Sequence, residues 1–363
     1  MATSLIAEKT ELTIHQMDPL GDSRWERLVQ DHPNATIFHT RGWLEALHRT
    51  YGYEPLVLTT SAEGETLCNG LVLCKVSSWL TGPRWVSLPF SDHCQPLVDD
   101  PRGLVAILKY LEAQVDGRHC KYVELRPLTD LDPEVEAASK PAFSDIFCIH
   151  MLDLRPPVDS LFKNFHKSCV QRKLQRAQRE ELTIEVGQSQ ELLNHFYQLM
   201  IKTRRRHKIP PQPLSWFRNL LDCLGDNARV HVAFKGSTPI ASIFTLNHKN
   251  TFVYKYGCSD ASYHNLGGTL SLFWHAIQAA KQMGFERFDF GRSEAHDQGL
   301  VSFKDHWGGA RTRLRYYRYP WHPPLTHSKA STDRQTQIAE QVFSRLPDFC
   351  LVLAGKLLYR HIG

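Results

Sequence analysis

Three groups of polar residues in this 363-residue sequence have types and spacing suited to chemistry. The first is the segment FDFGRSEAHDQGLVSFKDHWGG, which reads as a strand leading to Asp289, Arg292 and Glu294, then Phe303, Lys304 and Trp307. Ligand-holding groups gather at the carboxyl ends of strands in α/β sheets. There Asp289 suits accepting an amine proton or orienting a donor, and Arg292 suits gripping a carboxylate or phosphate with two parallel hydrogen bonds. The ordinary alternative is an ion pair between Arg292 and Asp289 or Glu294. The second group is VYKYG, where Tyr254 and Tyr256 alternate, so both are expected on one strand face with Lys255 on the other. A tyrosine facing a cleft can protonate a leaving group; plain half-buried packing explains the pair equally well. The third is the loop HNLGGT, which sets Asn265, Gly267 and Gly268 ahead of a helix, where backbone N–H groups can receive a phosphate.

A basic run adds a fourth feature. From Lys163 to Lys208, eleven Lys or Arg, Arg205 among them, stand against four acids and give +7. The chain total of +5 then leaves −2 for the rest, so the positive charge is concentrated here. Such a run suits tRNA phosphates, a lipid-linked pyrophosphate or an anionic membrane, or it is simply a solvated helix face. No aromatic RNA-binding platform accompanies it.

Other chemistries find little support. The nine cysteines are scattered without a CxxC pair, which argues for reduced thiols in a reducing compartment. His39, His93, His166 and His207 read as isolated and HExxH is absent, so no metal is expected. There is no GxSxG elbow for a serine hydrolase. The N-terminus lacks the pattern of a signal peptide, and Arg345, Asp348 and Lys356 interrupt the most apolar stretch, Val342 to Tyr359. A cytoplasmic protein is expected, either in solution or peripheral on the inner membrane face.

The elements that must position these residues read as mixed α/β. Helices are expected over Ser23–Val29, Arg41–Arg49 and Gly103–Val115, among the strands PLVLTT, NGLVLCKV, RWVSLP, YVELRPL and FCIHMLDL. A basic helix over Ser160–Glu181 follows, then the strand LTIEVG and helices over Glu191–Arg206 and Pro213–Leu224. Strands ARVHVAF, PIASIFTLNH and TFVYKYGCS are joined by hairpin-like turns, and a helix over Thr269–Met283 leads to FERFDFG. After Tyr319 come the turn PWHPP, a polar stretch and an amphipathic tail with Ile338, Val342 and Leu346, then Phe349, Val352, Leu353 and Leu357, on one face. That face either packs back on the protein or lies in a membrane interface beside Arg345, Lys356, Arg360 and His361.

Four stretches together resemble the FemABX and BioF2-like acyltransferases of the GNAT superfamily. They are SLPFSDHCQPLVDD, QRKLQRAQREELTIEVG, VYKYGCSDASYHNLGGTLSLFWHAIQAA, and the Phe288–Gly309 segment with its Phe-Lys and aromatic-Gly pairs. The resemblance implies two tandem GNAT-like domains with mixed, mostly antiparallel sheets: residues 1–155, then 156–320 with the family signature. Residues 321–363 would be a linker and helical tail packing on the first domain. It also implies N-acyl or aminoacyl transfer to an amine on a small-molecule or lipid-linked acceptor, such as a cell-envelope or exopolysaccharide precursor. The donor would be acyl-CoA or aminoacyl-tRNA, with no tightly bound cofactor. In the family's Phe-Lys motif the lysine is similar in position to Lys304, which is the expected oxyanion donor, worth about 2.7–4 kcal/mol if well placed. Phe303 would help wall the acyl donor, with Trp307, Arg292, Tyr254 and Arg205 as further substrate contacts and Asp289 and Tyr256 as catalytic partners. Ordinary GNAT enzymes carry Q/R-x-x-G-x-G/A where this chain has HNLGGT, a departure that weakens the CoA reading. Two alternatives stay open: CoA-dependent acylation of a small amine or amino acid, and a non-catalytic membrane-associated scaffold.

Overall fold

The computed structural model describes residues 12–115, 118–319, 343 and 346–363. The first part runs β1 (His15–Met17), α1 (Ser23–Asp31), α2 (Arg41–Tyr51), β2 (Glu54–Thr59), β3 (Leu71–Val76), β4 (Arg84–Ser87), α3 (Pro101–Gln114), β5 (Val123–Leu125), α4 (Pro133–Ser139) and β6 (Ala142–Asp153). The second runs α5 (Val158–Asn164), α6 (Arg172–Ala177), β7 (Thr183–Gly187), α7 (Gln190–Arg206), α8 (Leu214–Leu224), β8 (Ala228–Lys235), β9 (Thr238–His248), β10 (Thr251–Ser259), α9 (Gly268–Gln282), β11 (Arg287–Glu294), α10 (Gln298–Asp305) and β12 (Ala310–Tyr319). A last helix, α11, spans Asp348–Ile362.

The strands form one mixed, twelve-stranded sheet in the order β1-β2-β3-β4-β5-β12-β6-β11-β10-β9-β8-β7. Each end repeats the other: four antiparallel strands, then a fifth parallel to the fourth, β5 on β4 and β11 on β10. At the middle the parts exchange strands. β6, from the first part, pairs with β11, and β12, from the second, pairs with β5, while β6 and β12 pair with each other from Ala142↔Arg318 to Met151↔Ala310. This exchange builds the seam in which the polar residues meet.

Local signals explain most boundaries. Thr40 caps α2 through Trp43 N, and Gly52, at φ 70°, ends it in the left-handed conformation. Asp100-Pro101 and Asp132-Pro133 start α3 and α4, each with the aspartate accepting from the second backbone N–H beyond it. The expected single basic helix is broken. Phe165 is extended and buried against Trp274 and Trp307, His166 caps a new segment, and a wide turn over Lys167–Gln171 leads into α6. Anchoring of the aromatic ring decides the break, which helical periodicity does not register. The strand β12 carries no clear strand signal in sequence, because Arg311, Arg313 and Arg315 mask its apolar alternation.

The segments PWHPP and THSKASTDRQTQ, with Ile338, Val342 and Arg345, lie outside the described residues. Helix α11 touches both parts of the chain. Tyr53 Oη donates to the carbonyls of Tyr359 and Arg360, and Arg84 to those of His361 and Gly363. Tyr359 Oη donates to Pro210 O, and Gly355 lies so near Pro211 O that a Cβ would stand 1.9 Å from it. Among the described residues no helix is long and apolar enough to cross a membrane.

Candidate functional site

β10 and β11 pair only from Thr251↔Arg287 to Val253↔Asp289, and then part. β10 shifts register between Tyr254 and Tyr256, and β11 between Asp289 and Arg292, with Gly291 at φ 72°. A Cβ on Gly291 would stand 3.0 Å from Tyr254 O and 3.5 Å from Asp92 Oδ2, so the close approach at the opening requires glycine. The loop that follows β4 brings Asp92 and His93 to this opening. Lys255 Nζ donates to Asp92 Oδ1 at 2.8 Å, and Tyr316 Oη donates to Asp92 O at 2.8 Å. His93 Nε2 lies 3.3 Å from Asp289 Oδ2, while Asp289 Oδ1 accepts from Gly291 N at 2.7 Å. From the α10 side, Lys304 Nζ donates to the carbonyls of Gly291 at 2.7 Å and Arg292 at 3.1 Å. His93, Asp289 and Lys304 are buried.

Burial and charge shape this cluster together. Burial alone would raise the Asp92 carboxyl, but the ammonium of Lys255, helped by Arg292, holds it below its ordinary value. Burial lowers Lys255, with Asp92 opposing. Burial also pushes Lys304 down to about 8, opposed by Asp92 and Asp289. Three buried polar atoms here, Asp92 Oδ2, His93 Nδ1 and Ser293 Oγ, have no partner. With Nε2–H given to Asp289, the Nδ1 of His93 carries a free lone pair, the form a general base needs.

Two cavities flank the loop. One, of about 240 Å³, is lined by His93 and Asp289 with Phe38, Gln95, Met151 and Arg287. The other, of about 450 Å³, is lined by Arg84, Glu124, Arg126, Arg292, Tyr316 and Arg318. Glu124 binds both Arg126 and Arg318. Arg292 forms no ion pair with Asp289 or Glu294 among the described contacts. It donates to Tyr316 Oη at 2.9 Å and lies 4.1 Å over the Phe147 ring, which leaves an edge of the guanidinium for an anion.

The seam thus gathers Asp289, Arg292 and Lys304 from the sequence-predicted set. Phe303 and Trp307 lie behind them, packed on Phe273 at 5.6 and 5.5 Å. The tyrosine reading needs correction: the bulge in β10 turns Tyr254 and Tyr256 to opposite faces. Tyr254 packs on Phe273 of α9, and Tyr256 packs on Phe217 of α8 while accepting from Trp216 Nε1 at 2.9 Å. Burial raises both phenols. Arg205 donates to Leu346 O and pairs with Asp348 at the start of α11. Asn265 is exposed in a short helical turn before α9. Gly267, at φ 76°, would put a Cβ 2.9 Å from Ala177 Cβ in α6, and Gly268 one 3.0 Å from Ile240 Cδ1, so both glycines serve close packing. In the basic run Lys163, Lys167, Arg172, Lys173, Arg176 and Arg179 are exposed, whereas Lys202 pairs with Asp260.

Asp92, His93 and Lys255 were missed as a unit. The only sequence signal was their place in two stretches, SLPFSDHCQPLVDD and VYKYG, that carry the family resemblance. His93 is not isolated, since it meets Asp289, and His39 is buried against Gln95 O at 2.8 Å, with burial holding it neutral down to about 3. His166 is not isolated either: it lies beside Cys169 and His306.

Residues 165–304 match the acetyltransferase (GNAT) domain family. No curated protein matches the chain. Among solved structures, FemX superposes with a TM-score of 0.67 at 15% identity, over 86% of this chain and 98% of that one. L-PGS from Bacillus licheniformis gives 0.53 at 14% identity, over 89% and 97%. A tandem GNAT protein from the clavulanic acid biosynthesis pathway gives 0.53 at 11% identity, over 84% and 98%. The matched domain and the shared fold define an acyltransferase of the GNAT class. With FemX and these other structures the chain shares its fold, a tandem GNAT arrangement with exchanged central strands and a C-terminal helix.

Proposed function

We propose that the chain transfers an acyl or aminoacyl group to an amine on a cell-envelope or exopolysaccharide precursor, at the seam between halves formed by residues 1–155 and 156–320. The observation that carries this reading is the His93–Asp289 pair, with an unpartnered His93 Nδ1, at the wall of a cavity. The acceptor amine gives a proton to His93 Nδ1, and Asp289 holds the opposite N–H and stabilises the imidazolium. The amine nitrogen forms a bond to the donor carbonyl carbon, and the resulting oxyanion meets Lys304, which has one N–H beyond the two on Gly291 and Arg292. Collapse breaks the thioester C–S or ester C–O bond, and His93 returns the proton to the leaving thiolate or alkoxide. Arg292 grips a carboxylate or phosphate of the acceptor in the larger cavity.

Likeness to FemX and L-PGS supports an aminoacyl donor, and the packing of α6 over Gly267 disfavours a CoA pyrophosphate at the α9 N-terminus. A lipid-linked acceptor at the inner membrane face is supported by α11, whose exposed Phe349, Leu353 and Leu357 share a face with Lys356 and Arg360. The test follows label from radiolabelled aminoacyl-tRNA, or from labelled acyl-CoA, into an extracted pool of envelope precursors. Transfer from aminoacyl-tRNA that falls at least about 100-fold in His93→Gln is expected. Transfer from the thioester alone would favour the CoA-dependent reading. Transfer unchanged in His93→Gln would discard the dyad, and no transfer from either donor would leave the scaffold reading.

A further inference from the structure

His166 and His306 stand 140 positions apart in sequence, yet their rings lie 4.5 Å apart between centroids. Cys169 joins them, and one ligand-capable atom from each of the three residues lies within 4.8 Å of the others. Two features hold this triad in register. The His166 backbone N–H donates to His306 O at 2.8 Å. The chain neighbours of the two histidines, Phe165 and Trp307, are buried and pack edge to face at 5.1 Å. The triad therefore rests on a rigid base while its side chains reach the surface.

We propose that His166, Cys169 and His306 form a binding site for one zinc ion, which clamps the end of α10 to the helical segment that leads into α6. Two imidazoles and a thiol suit a borderline ion such as zinc, and no carboxylate completes the set as calcium or magnesium would require. The adjacent Asp305 is turned instead to His150 at 3.0 Å and Arg311 at 3.4 Å. Zinc–nitrogen and zinc–sulfur bonds of about 2.0–2.3 Å need the ligand atoms drawn closer than they now stand, a contraction the exposed His166 side chain makes by rotation. Without metal, His166 Nδ1 accepts from Cys169 N at 3.1 Å and caps the helix. One lone pair cannot serve both partners, so binding through Nδ1 exchanges the cap for the metal bond. A fourth position remains for water or for Ser168 Oγ, 3.9 Å from Cys169 Sγ. Because α10 also carries Lys304, the clamp would fix the helix behind the seam; the zinc site itself does not depend on which donor or acceptor the seam takes.

The test uses the full chain stripped with chelator, titrated with zinc against a chromophoric competitor and, separately, with cobalt(II). The expected result is one zinc per chain and a thiolate-to-cobalt absorption band. In Cys169→Ser the band vanishes, and zinc affinity falls at least about 100-fold in Cys169→Ser and in His306→Ala. Far-UV circular dichroism checks that each variant is folded, and His306→Gln replaces any that is not. No zinc bound by the wild type, or affinity unchanged in both variants, overturns the proposal.

Discussion

The pairing of Asp92 with Lys255 ties the two parts of the chain together, and replacing Asp92 by Asn tests how. The two side chains are 13% and 5% exposed and meet at 2.8 Å. At an effective dielectric of about 20, that separation gives a Coulombic attraction of about 6 kcal/mol, most of it offset by the cost of removing both charges from water. Asp92→Asn leaves the Lys255 ammonium buried without its counter-charge, facing a neutral amide and the rings of Phe38, Trp43 and Tyr256 at 5.2–5.8 Å. Removing one partner of such a pair costs about 3–5 kcal/mol. Lys255→Met should cost a similar amount, and the double variant clearly less than the two together. Urea unfolding of all four proteins at pH 7 measures the cycle.

The pH dependence adds a second check on the same pair. The folded Asp92 carboxyl sits below its ordinary 3.8, so its contribution is present above that value and fades as pH falls through the lower, folded-state value. The stability gap between wild type and Asp92→Asn should therefore be constant from pH 7 to about 5 and shrink below about pH 4. An Asp92→Asn cost under 1 kcal/mol, full additivity, or a gap that closes at neutral pH would refute the reasoning.

Gly267→Val should cost at least about 1–2 kcal/mol, because φ is 76° and the new Cβ meets Ala177 at 2.9 Å. Calorimetry reads this, and an unchanged melting temperature would remove the packing role. Tyr256→Phe should cost about 1–3 kcal/mol by stranding the buried Trp216 N–H, with turnover per folded molecule retained. A hundredfold loss of kcat at unchanged stability would instead make Tyr256 the acid for the leaving group. Arg292→Lys keeps the charge but loses the planar fork over Phe147, and about tenfold weaker binding of an anionic acceptor is expected in KM. Equal KM values would take the anion out of the larger cavity.

The sequence by itself determined most of the elements and the class. Helical periodicity, caps such as Thr40 and Asp100, and the turn residues between β8, β9 and β10 are local signals, and local physics sets them. The Phe-Lys and Asp-Phe-Gly segment was legible for the same reason: Asp289, Arg292, Phe303, Lys304 and Trp307 lie within nineteen consecutive positions of one strand and helix. What periodicity could not give was any arrangement requiring a bulge or a strand exchange. One extra residue in β10 reverses the face of every side chain beyond it, so Tyr254 and Tyr256 part although their spacing reads as one face. The exchange of β6 and β12 brings the loop after β4 to β11, so His93 finds Asp289 across 196 positions. The approach of Phe165 to Trp307 likewise sets His166 beside His306. Such pairings follow from burying aromatic residues and satisfying strand hydrogen bonds over long separations, which no local spacing encodes. The tertiary structure alone therefore decided which polar residues share the seam.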